Sequence, residues 1–507
     1  MQFEDEPGVW QVMNSEMQGT EPFTWRRGMT GGGPHDRIAA VGTCEFTLKN
    51  GPTADDPDRA FGHYSPNHAD VRSGFNYGIP VRVVYVLGGV EYPLWTGKLR
   101  SALPEAGQYR SRLVHCVAVD AMADLAETDV RSIAPQINKT ENQLIAAVIA
   151  AMPAASRPHV NYDASLDTYP YALDDASSNV KALSLIAAVV QSARAFVYPQ
   201  GNGDLRVENR HARAMLPAVG LVDDSILTVE CQVPSDLSDV YNRVRVITHP
   251  RRIDAAATTV LYAVDNVIAV APGETVDVWG DYVDPTNSQK LIGGTDQVTP
   301  IVENTDYDAN TQENGGGADV SADLSIVTNQ FAASVNFEVT NNGASTAYLV
   351  NSSGAPKLQI RGKGIYDESP QSFEATSAQS YGERLLEIDL PYQDDVQTAA
   401  DLAQFELLNY QQVADRIDRV TFGVFGNAEL LAGVVATDIG TIALFTETMT
   451  GLSLVHGAIQ GIEMSATPRN QLTVSYVLAP RVATSALVLD DPVYGVLDAG
   501  EAALGYA

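Results

Sequence analysis

A helix that leads directly into a tight hairpin is the feature that most restricts the fold of this chain. It lies in the stretch KALSLIAAVVQSARAFVYPQGNGDLRVENR, residues 181–210. Apolar residues at Leu183, Ile186 and Val190 have the spacing of one buried helical face. The β-branched and aromatic residues that follow predict a strand, and the glycines of residues 201–203 supply the positive φ of a tight turn. With no catalytic pattern in it, this unit is either a recognition element or a structural building block.

Alternating strand patterns fill the regions on either side of that unit. Residues 35–120 contain strands such as GTCEFTLKN and GIPVRVVYVLGGVEYPLWTGKLRSAL, separated by Gly- and Asn-containing turns. Residues 380–480 return to strands after one helix. Residues 255–375 are almost free of helical patterns and rich in Asn, Gly, Thr and Asp, and their short strands predict an inserted β-sandwich of immunoglobulin-like size. Strands on both sides of this insert predict a mainly β protein.

Two helices are predicted together with their N-terminal caps. In KTENQLIAAVIAAM, Thr140 and Gln143 have the spacing of a capping box, which satisfies two helix donors reciprocally. In TAADLAQFELLNYQQVAD, Thr398 and Asp401 are predicted to do the same. With the helix of residues 181–194, these elements indicate a smaller α+β part within the β protein.

Length and charge limit the classes of function. A chain of 507 residues is too long for one core, so several compact units are expected. With 63 acidic and 32 basic residues, the formal charge of −31 disfavours binding to nucleic acid. Solubility or a high-salt origin is the simplest explanation of this charge. No run approaches 18 apolar residues and the N-terminus is acidic, so we expect neither a membrane span nor a secretory signal.

The three cysteines are far apart in the sequence, at Cys44, Cys116 and Cys231. None sits in a CxxC pair, so at most one disulfide is possible and none is required. Two of them lie in alternating strand patterns, where small buried thiols are common.

Two segments have some metal-like content. His63, His68 and Asp70 cluster in HYSPNHAD, but a Pro and an Asn interrupt the helix that would bring such ligands together, so a polar loop is expected. The second segment, DYDANTQENGGGAD, begins like a calcium loop at Asp306, Asp308 and Asn310. It has Thr311 where the glycine should be and Gly317 where the bidentate Glu should be. We therefore predict no metal ion and no cofactor.

Catalytic motifs are absent from the sequence. There is no GxSxG, HExxH or P-loop pattern, and the glycines of MTGGGPHD precede no predicted helix. Adjacent carboxylates occur at residues 55–56, 174–175 and 394–395, which is expected by chance in so acidic a chain. We predict that the protein is not an enzyme and has no catalytic residues.

The order of several motifs resembles a known family. GTCEFTLKN, HYSPN, GIPVRVVYV and YPLWTGKL follow one another as in the opening of tail hub proteins of long-tailed bacteriophages, also called baseplate hub or minor tail proteins. The matching positions are residues 42–50, 64–66, 78–83 and 95–97. The helix and hairpin of residues 181–210 look like the second domain of that family, and DDPVYGVLDAGEAALGY is similar to hub C-termini.

The resemblance implies a fold and a set of domains. Tube-like β-barrel hub domains would accompany the smaller α+β domain and the inserted β-sandwich. The implied domains are an N-terminal β-barrel-like hub domain (1–120), an α+β domain (121–212), a second tube-like domain (213–254 with 376–482), the immunoglobulin-like insert (255–375) and a C-terminal extension (483–507).

The resemblance also implies a structural role in the virion. The family forms a homotrimer at the distal end of the tail tube, whose two tube-like domains per subunit make a pseudo-hexameric ring. Its implied partners are the tail tube and distal tail proteins, the tape-measure protein, and tip or fibre proteins. Such a protein is synthesised in the host cytoplasm and located in the tail tip or baseplate. DNA would pass through it as cargo during genome ejection, without sequence-specific binding.

The negative charge acquires a possible role in this setting. If carboxylates line the ring, exiting DNA meets few cationic contacts and slides without sticking. Two other classes stay open: a host-surface or carbohydrate-binding adhesin of the tail tip, which the insert favours, and a hydrolase acting on the cell envelope. A trimer would distinguish the hub from an adhesin module.

Overall fold

The computed structural model describes most of the chain. The described residues are 1–18, 22–53, 56–106, 112–130, 133–173, 180–223, 226, 230–233, 240–283, 291–299, 301–378, 382–411, 417–424, 426–467 and 471–480.

The strands are named here in chain order. Those before the insert are β1 (Gln2–Glu6), β2 (Val9–Val12), β3 (Phe23–Gly28), β4 (Ala40–Lys49), β5 (Pro80–Leu87), β6 (Val90–Pro104), β7 (Leu113–Val119), β8 (Asp129–Val130), β9 (Gln136–Thr140), β10 (Val160–Tyr162), β11 (Thr168–Ala172), β12 (Val180–Lys181), β13 (Phe196–Pro199), β14 (Leu205–Glu208), β15 (Ala218–Val222), β16 (Glu230–Gln232), β17 (Arg243–Thr248) and β18 (Arg251–Ile253). Those that follow are β19 (Thr259–Ala263), β20 (Ile268–Val270), β21 (Thr275–Asp281), β22 (Leu291–Thr295), β23 (Ala309–Asn310), β24 (Leu324–Gln330), β25 (Ser334–Asn341), β26 (Ala347–Leu349), β27 (Gln359–Asp367), β28 (Gln371–Thr376), β29 (Leu385–Leu390), β30 (Arg419–Val424), β31 (Ile442–Glu447), β32 (Leu452–Ala466) and β33 (Leu472–Pro480).

The α-helices are fewer than the strands. They are α1 (Ala121–Glu127), α2 (Glu141–Ala151), α3 (Ala182–Ala193), α4 (Ala212–Met215), α5 (Val396–Tyr410) and α6 (Ala428–Ala436). Single 3-10 turns occupy Ala154–Ser156 and Ser321–Asp323. None of the helices in the described ranges combines the length and apolar character that crossing a bilayer requires.

One large sheet joins strands from both ends of the chain. Its path is β16-β30-β33-β32-β3-β4-β7-β6-β5-β1-β2, with β31 beside β32 and β15 beside β31. The side chains beneath it form one continuous core that includes Trp25, Trp95, Phe422 and Tyr476. The segment before the helical region and the segment after the insert are therefore folded together as one body. The path through the described strands is open, with β2 at one end and β16 at the other.

Two groups of four strands within this sheet have the same connectivity. The first unit is β4, β5, β6 and β7 in the order β4-β7-β6-β5, and the second unit is β30, β31, β32 and β33 in the order β30-β33-β32-β31. Every neighbouring pair in both units is antiparallel. The third strand, β6 or β32, has 15 residues in each unit.

A β-bulge at the same place allows the two units to be aligned. The register shifts between Leu99 and Ser101 where β6 meets β7, and between Ile459 and Gly461 where β32 meets β33. Ser101 therefore corresponds to Gly461. The alignment continues consistently along the neighbouring strands, because bulges of this kind fix the register on either side.

The predicted helix and hairpin of residues 181–210 are both present. The buried face of the helix contains Leu185 and Val189 beside the predicted Ile186 and Val190, whereas Leu183 is only half-buried. Helix α3 is followed by β13 and β14, which pair antiparallel from Pro199 opposite Leu205. Gly203 has a φ of +93° in the turn. At Gly201 an added Cβ would lie 2.2 Å from the Pro93 carbonyl oxygen, so the turn rests against β6. The hairpin is therefore a building block that fastens the helical region to the large sheet.

The helix caps give one confirmation and one correction. Thr140 and Gln143 form the predicted capping box at α2. Helix α5 is present, but the capping box predicted for it at Thr398 and Asp401 was wrong, because the helix begins earlier and its cap is Asp395. The Asp395 carboxylate accepts the backbone N–H groups of Gln397 and Thr398, and the Thr398 hydroxyl donates to it as well. Thr398 thus lies in the first turn.

The region of the predicted insert has a core of its own. Its strands form the sheets β20-β26-β23 and β21-β25-β24, and a third in which β27 pairs with β18, β19 and β22. Val335, Phe337 and Ile360 are among the fully buried side chains. Asn341, Asn342 and Gly343 between two alternating segments have the pattern of a hairpin turn, but the strands on either side, β25 and β26, belong to different sheets and do not pair with each other. The chain thus crosses between layers here instead of forming a hairpin.

The prediction of a mainly β fold with a smaller α+β part is confirmed, and the region of the predicted β-sandwich insert consists of β-sheets around a core of their own. The described strands of the large sheet do not form a closed barrel. The α+β part has α2 packed against α3 and a small β10-β14-β13 sheet. Helix α5 covers a separate sheet of order β28-β17-β29. The domain boundaries stay a prediction, and the predicted C-terminal extension lies outside the described residues.

Candidate functional site

A buried cluster of charged residues lies where three parts of the chain meet, and we call it the arginine junction. It consists of four arginines and their three carboxylates: Arg37, Arg194, Arg210, Arg213, Asp167, Glu208 and Glu406. Arg37 comes from the loop before β4, Arg194 ends α3, and Glu406 lies on α5. The cluster therefore connects the large sheet, the helical region and the α5 layer.

Glu406 is the centre of the junction. Its side chain is fully buried, and its Oε1 accepts hydrogen bonds from Arg37 Nη2 at 2.7 Å and from Arg194 Nη2 at 2.7 Å. Arg37 Nη1 also donates to the Arg194 carbonyl at 2.7 Å, and Arg194 Nη2 donates to the Pro34 carbonyl at 2.8 Å. Each guanidinium thus bridges a carboxylate and a backbone oxygen from different elements.

Electrostatics favour the charged form of Glu406 despite its burial. Burial alone would raise the pKa of this carboxyl, but the guanidinium groups of Arg194 and Arg37 outweigh that effect and lower it. Burial and the charge of Arg194 lower the pKa of Arg37 to about 10. Two cations therefore share one anion in a site without solvent, where unpaired charges are costly.

The other two arginines of the junction are held by aromatic and acidic side chains. The Arg213 guanidinium lies 3.7 Å from the centre of the Phe196 ring and its Nε donates to Glu208 Oε2 at 3.0 Å. Arg210 makes a bidentate pair with Asp167. The residues that precede and follow the predicted hairpin are therefore fixed by ion pairs, and Glu208 of the return strand is buried instead of facing solvent.

A second buried arginine fastens the sheet to the hairpin. Arg27 on β3 pairs with Asp438, and its guanidinium donates to the carbonyls of Leu94 at 3.0 Å and Pro199 at 3.3 Å. Backbone hydrogen bonds join Arg37 and Ala39 to Val197. Together with the arginine junction, these contacts hold the large sheet rigidly against the hairpin. The carboxylates in them are already occupied as ion-pair partners.

The edges of the large sheet are the second feature of functional interest. Strand β3 lies between the two units, pairing with β4 on one side and with residues 461–466 of β32 on the other. Strand β16 lies outside β30 as β3 lies outside β4, with Gln232 opposite Arg419 and Thr24 opposite Glu45. Among the described strands, β16 has no second neighbour. The segment of β6 that corresponds to residues 461–466 pairs with β7 alone.

Exposed apolar side chains are found on those edges and at the hairpin tips. Leu103, near the end of β6, is 64 % exposed. The β5–β6 hairpin exposes Val86 and Val90, and the equivalent β31–β32 hairpin exposes Met449 and Leu454. Such side chains beside sheet edges are typical of surfaces that pair with another chain.

The residues with metal-like sequence patterns lie in ordinary protein environments. His63 contacts Tyr64 edge to face, and the exposed His68 lies 3.7 Å from Asp70. Asp306 is buried and makes a bidentate pair with Arg361 at 2.6 and 3.0 Å. Within the described ranges no group of three or more His, Cys, Asp or Glu side chains could hold a metal ion.

The loop of the calcium-like pattern is organised by an asparagine. Asn310 Oδ1 accepts the N–H groups of Gln312 and Gly317, and its Nδ2 donates to the carbonyls of Gly315 and Gly317. Asp308 lies 3.7 Å from Lys357. The side chains of the pattern are thus used within the protein.

The acidic pairs and cysteines also have positions in the fold. Asp395 is the α5 cap, and burial raises the pKa of its neighbour Asp394. The pair at 174–175 and Asp55 lie outside the described residues. Cys44 and Cys116 are buried in adjacent strands without a disulfide, and burial raises the pKa of both thiols.

Sequence reasoning did not identify the arginine junction or the repeated unit. Arg37 and Glu406 are 369 residues apart, and no local spacing connects them. The signal that was present is the excess of Arg over Lys among the basic residues, because a planar guanidinium can bridge several acceptors.

Comparison with solved structures finds tail proteins. The 43 kDa tail protein of prophage MuSo2 from Shewanella oneidensis has 12 % identity and a TM-score of 0.47, covering 93 % of this chain and 96 % of its own. A tail protein from Neisseria meningitidis MC58 has 9 % identity and a TM-score of 0.48, covering 93 % of each chain. Prophage tail protein gp18 from Listeria monocytogenes EGD-e has 10 % identity and a TM-score of 0.40, covering 94 % of each.

The sequence itself has no match among family models or curated proteins. Structural likeness at such low identity does not by itself define a function, because one fold can host several.

Proposed function

We propose that this chain is the tail hub of a long-tailed bacteriophage, a homotrimeric ring at the distal end of the tail tube. The observation that supports it best is the repeated four-strand unit. Two units of one topology in each subunit would give six in a trimer, which suits a ring that continues a sixfold tube. Three of the motifs that resemble the hub family, at residues 42–50, 78–83 and 95–97, lie on or next to β4, β5 and β6 of the first unit.

The contact between subunits follows from the contact within one. In the chain, β3 bridges the two units by lying between β4 and the end of β32. Strand β16 occupies the corresponding place beside β30. In the ring, β16 of one subunit would lie along the end of β6 of the next, where Leu103 is exposed. Such a head-to-tail contact generates a closed ring if the rotation between subunits is about 120°, and it covers both the edge of β16 and the open end of β6.

The register of this contact can be derived from the alignment of the units. Phe23 lies opposite Ala466 where β3 meets β32. By the matched bulges, Phe23 corresponds to Cys231 and Ala466 to Ala106. We therefore expect Cys231 of one subunit opposite Ala106 of its neighbour, at a spacing that a disulfide can bridge.

The test is a cross-link in the full chain. The variant Ala106→Cys, oxidised under mild conditions, should give a covalent product near three times 54.3 kDa on a non-reducing gel. Adding Cys231→Ser to the same variant should abolish it. Mass photometry of the unmodified chain should show the trimer directly.

Two results would count against the proposal. If the chain stays monomeric when the purified tube or distal tail proteins are present, the proposed ring does not form. A trimer that forms without the Cys231 cross-link would retain the hub and show that the proposed strand pairing is wrong.

The remaining parts of the assignment follow from the ring. The hub would join the tail tube and distal tail proteins to the tip or fibre proteins, and would contact the tape-measure protein inside. Its charge of −31 offers few cationic contacts to DNA passing through during ejection. We expect a structural protein of the virion without catalytic activity, whose domains follow the boundaries predicted from the sequence.

A further inference from the structure

The outer face of the β21-β25-β24 sheet in the insert carries a flat aromatic platform. Trp279 on β21 is 57 % exposed. Its ring stacks on that of Phe331 with centroids 5.4 Å apart and planes 10° from parallel. A large aromatic side chain left in water on the face of an edge strand gains little from burial in the chain's own core. This platform is a feature that the hub function does not explain.

Polar side chains surround the platform in ordered rows. Asn336 lies opposite Trp279 on β25, and Asn329 lies opposite Asn336 on β24. The next row along the strands has Asp277 opposite Glu338. Asn329 Nδ2 donates to Asn336 Oδ1 at 3.2 Å and to Glu338 Oε1 at 2.8 Å. These contacts hold the amide and carboxylate groups in place beside the indole.

The sheet beneath is rigid. Gly280, which follows Trp279, packs directly against Tyr262, and an added Cβ at Gly280 would lie 2.3 Å from that ring. On β25, Val335, Phe337 and Val339 are fully buried in the core of the insert. The platform is therefore supported on its inner side and does not need to reorganise when a ligand binds, which limits the entropy lost on binding.

The chemistry of this face specifies the class of ligand. Its carboxylates and side-chain oxygens are mainly hydrogen-bond acceptors, which suit the hydroxyl donors of a sugar. The π face of the indole is negatively polarised and attracts the C–H groups of a pyranose ring. Asp277, Asp281 and Glu338 are on or beside the face, and the described residues of these three strands include no Lys or Arg. That charge disfavours nucleic acid and anionic glycans.

We propose that this face, centred on Trp279, Phe331 and Asn329, binds uncharged pyranose chains of a host-surface polysaccharide. Along the strands the rows from residue 275 to residue 279 span about 13 Å, and three strands span about 10 Å, enough for more than one sugar ring. The site lies outside the large sheet and does not depend on the hub assignment.

The experiment is a binding survey with the full chain. An array of uncharged and anionic glycans identifies the tightest uncharged one, and titration of that glycan into the chain is followed by isothermal titration calorimetry, whose signal does not depend on the Trp279 indole. Trp279→Ala should weaken binding at least tenfold, and Trp279→Phe should retain most of it because stacking is preserved. Tyr77→Ala removes an exposed aromatic side chain of the first unit, 50 % exposed, and should leave binding unchanged.

Three outcomes of the binding measurements would overturn the proposal. They are no binding to any uncharged glycan, equal binding by the Trp279→Ala variant, and preference for anionic glycans. Protection of Trp279 from acrylamide quenching in the assembled trimer would also overturn it, because the face would then be a contact between subunits. Because the variants change an exposed side chain, their melting temperatures should match that of the unmodified chain.

Discussion

The first and second units have the same strand order and the same bulge, yet they face different surroundings. In the second unit the end of β32 is covered by β3 of the same chain, and in the first unit the matching end of β6 has no such cover among the described strands. The residues at equivalent positions differ accordingly. The two units thus share a topology but differ in their side chains. The differences match the closure of the β32 end within the chain and the proposed closure of the β6 end against a neighbouring subunit.

Breaking the junction that holds the units to the helical region should have the largest effect. Glu406→Gln leaves the buried guanidinium groups of Arg37 and Arg194 without an anion. The free energy of unfolding should fall by about 3–5 kcal/mol, the usual cost of removing one partner from a buried ion pair. Urea unfolding at pH 7 measures it. Glu127→Gln, which removes the exposed partner of Arg100, is the matched control and should leave stability unchanged.

The aligned residue at the end of the last strand, β7 or β33, distinguishes the two units next. It is Asp120 in the first unit, where it caps α1 and accepts the Gly42 and Met122 N–H groups, and Pro480 in the second. Burial raises the pKa of Asp120 from 3.8 to about 7, against the effect of those hydrogen bonds. The folded chain then holds this proton more tightly than the unfolded chain.

The sign of the pH effect follows from that difference. The stability contributed by the Asp120 proton is fully present below about pH 4 and is lost as the pH rises to 7, by up to about 4 kcal/mol. The unfolding free energy of the unmodified chain, relative to Asp120→Asn, should therefore fall between pH 4 and pH 8. Asp395→Asn is the control, because the pKa of the α5 cap is lowered below 3.8: its stability difference should be flat between pH 4 and pH 8 and should change, with the opposite sign, only at lower pH. A flat difference for Asp120→Asn would contradict the prediction.

The bulge position provides a smaller, steric comparison. At Gly461 an added Cβ would lie 2.3 Å from the Met29 carbonyl oxygen, because β3 runs alongside. Gly461→Ser should lower the free energy of unfolding by about 3 kcal/mol through this overlap. The reverse change at the matching position, Ser101→Gly, should cost under about 1 kcal/mol, from backbone entropy alone. Thermal melts of both variants test the difference, and equal effects would mean that the units are not distinguished by β3.

Local sequence patterns predicted the helices and strands of this fold. They missed the features that depend on contacts between distant segments. The helix and hairpin of residues 181–210 follow from spacing and glycines that act within a few residues. The pairing of β3 with β32 does not, because alternation shows which face of a strand is buried but not which strand lies beside it. The repeat of the two units is hidden for the same reason, since Leu103 and Glu463 occupy one place with opposite character.

The site was predictable to a similar degree. The acidic character of the chain and the lack of catalytic motifs can be read directly from the sequence. The arginine junction depends on residues from three separate segments, and Trp279 is recognisable as a platform only when β21, β25 and β24 are placed side by side.

The pair Leu103 and Glu463 gives the last comparison. In the second unit Glu463 lies opposite Arg26 of β3 and 3.1 Å from Arg419, a charged place closed within the chain. Leu103 at the matching place is 64 % exposed, which suits an apolar contact with a neighbouring subunit. Leu103→Glu should change the free energy of unfolding by less than about 0.5 kcal/mol, as exposed substitutions usually do. It should nevertheless shift the mass from trimer to monomer in mass photometry.

The equivalent exposed aliphatic side chain away from this edge provides the control. Val86→Glu changes a hairpin tip of the first unit, where no strand pairing between subunits is proposed, and should leave the trimer intact. If both variants remain trimeric, the end of β6 is not the subunit contact. If only Leu103→Glu dissociates, the open edge of the first unit is closed by a neighbour as the edge of the second unit is closed by β3.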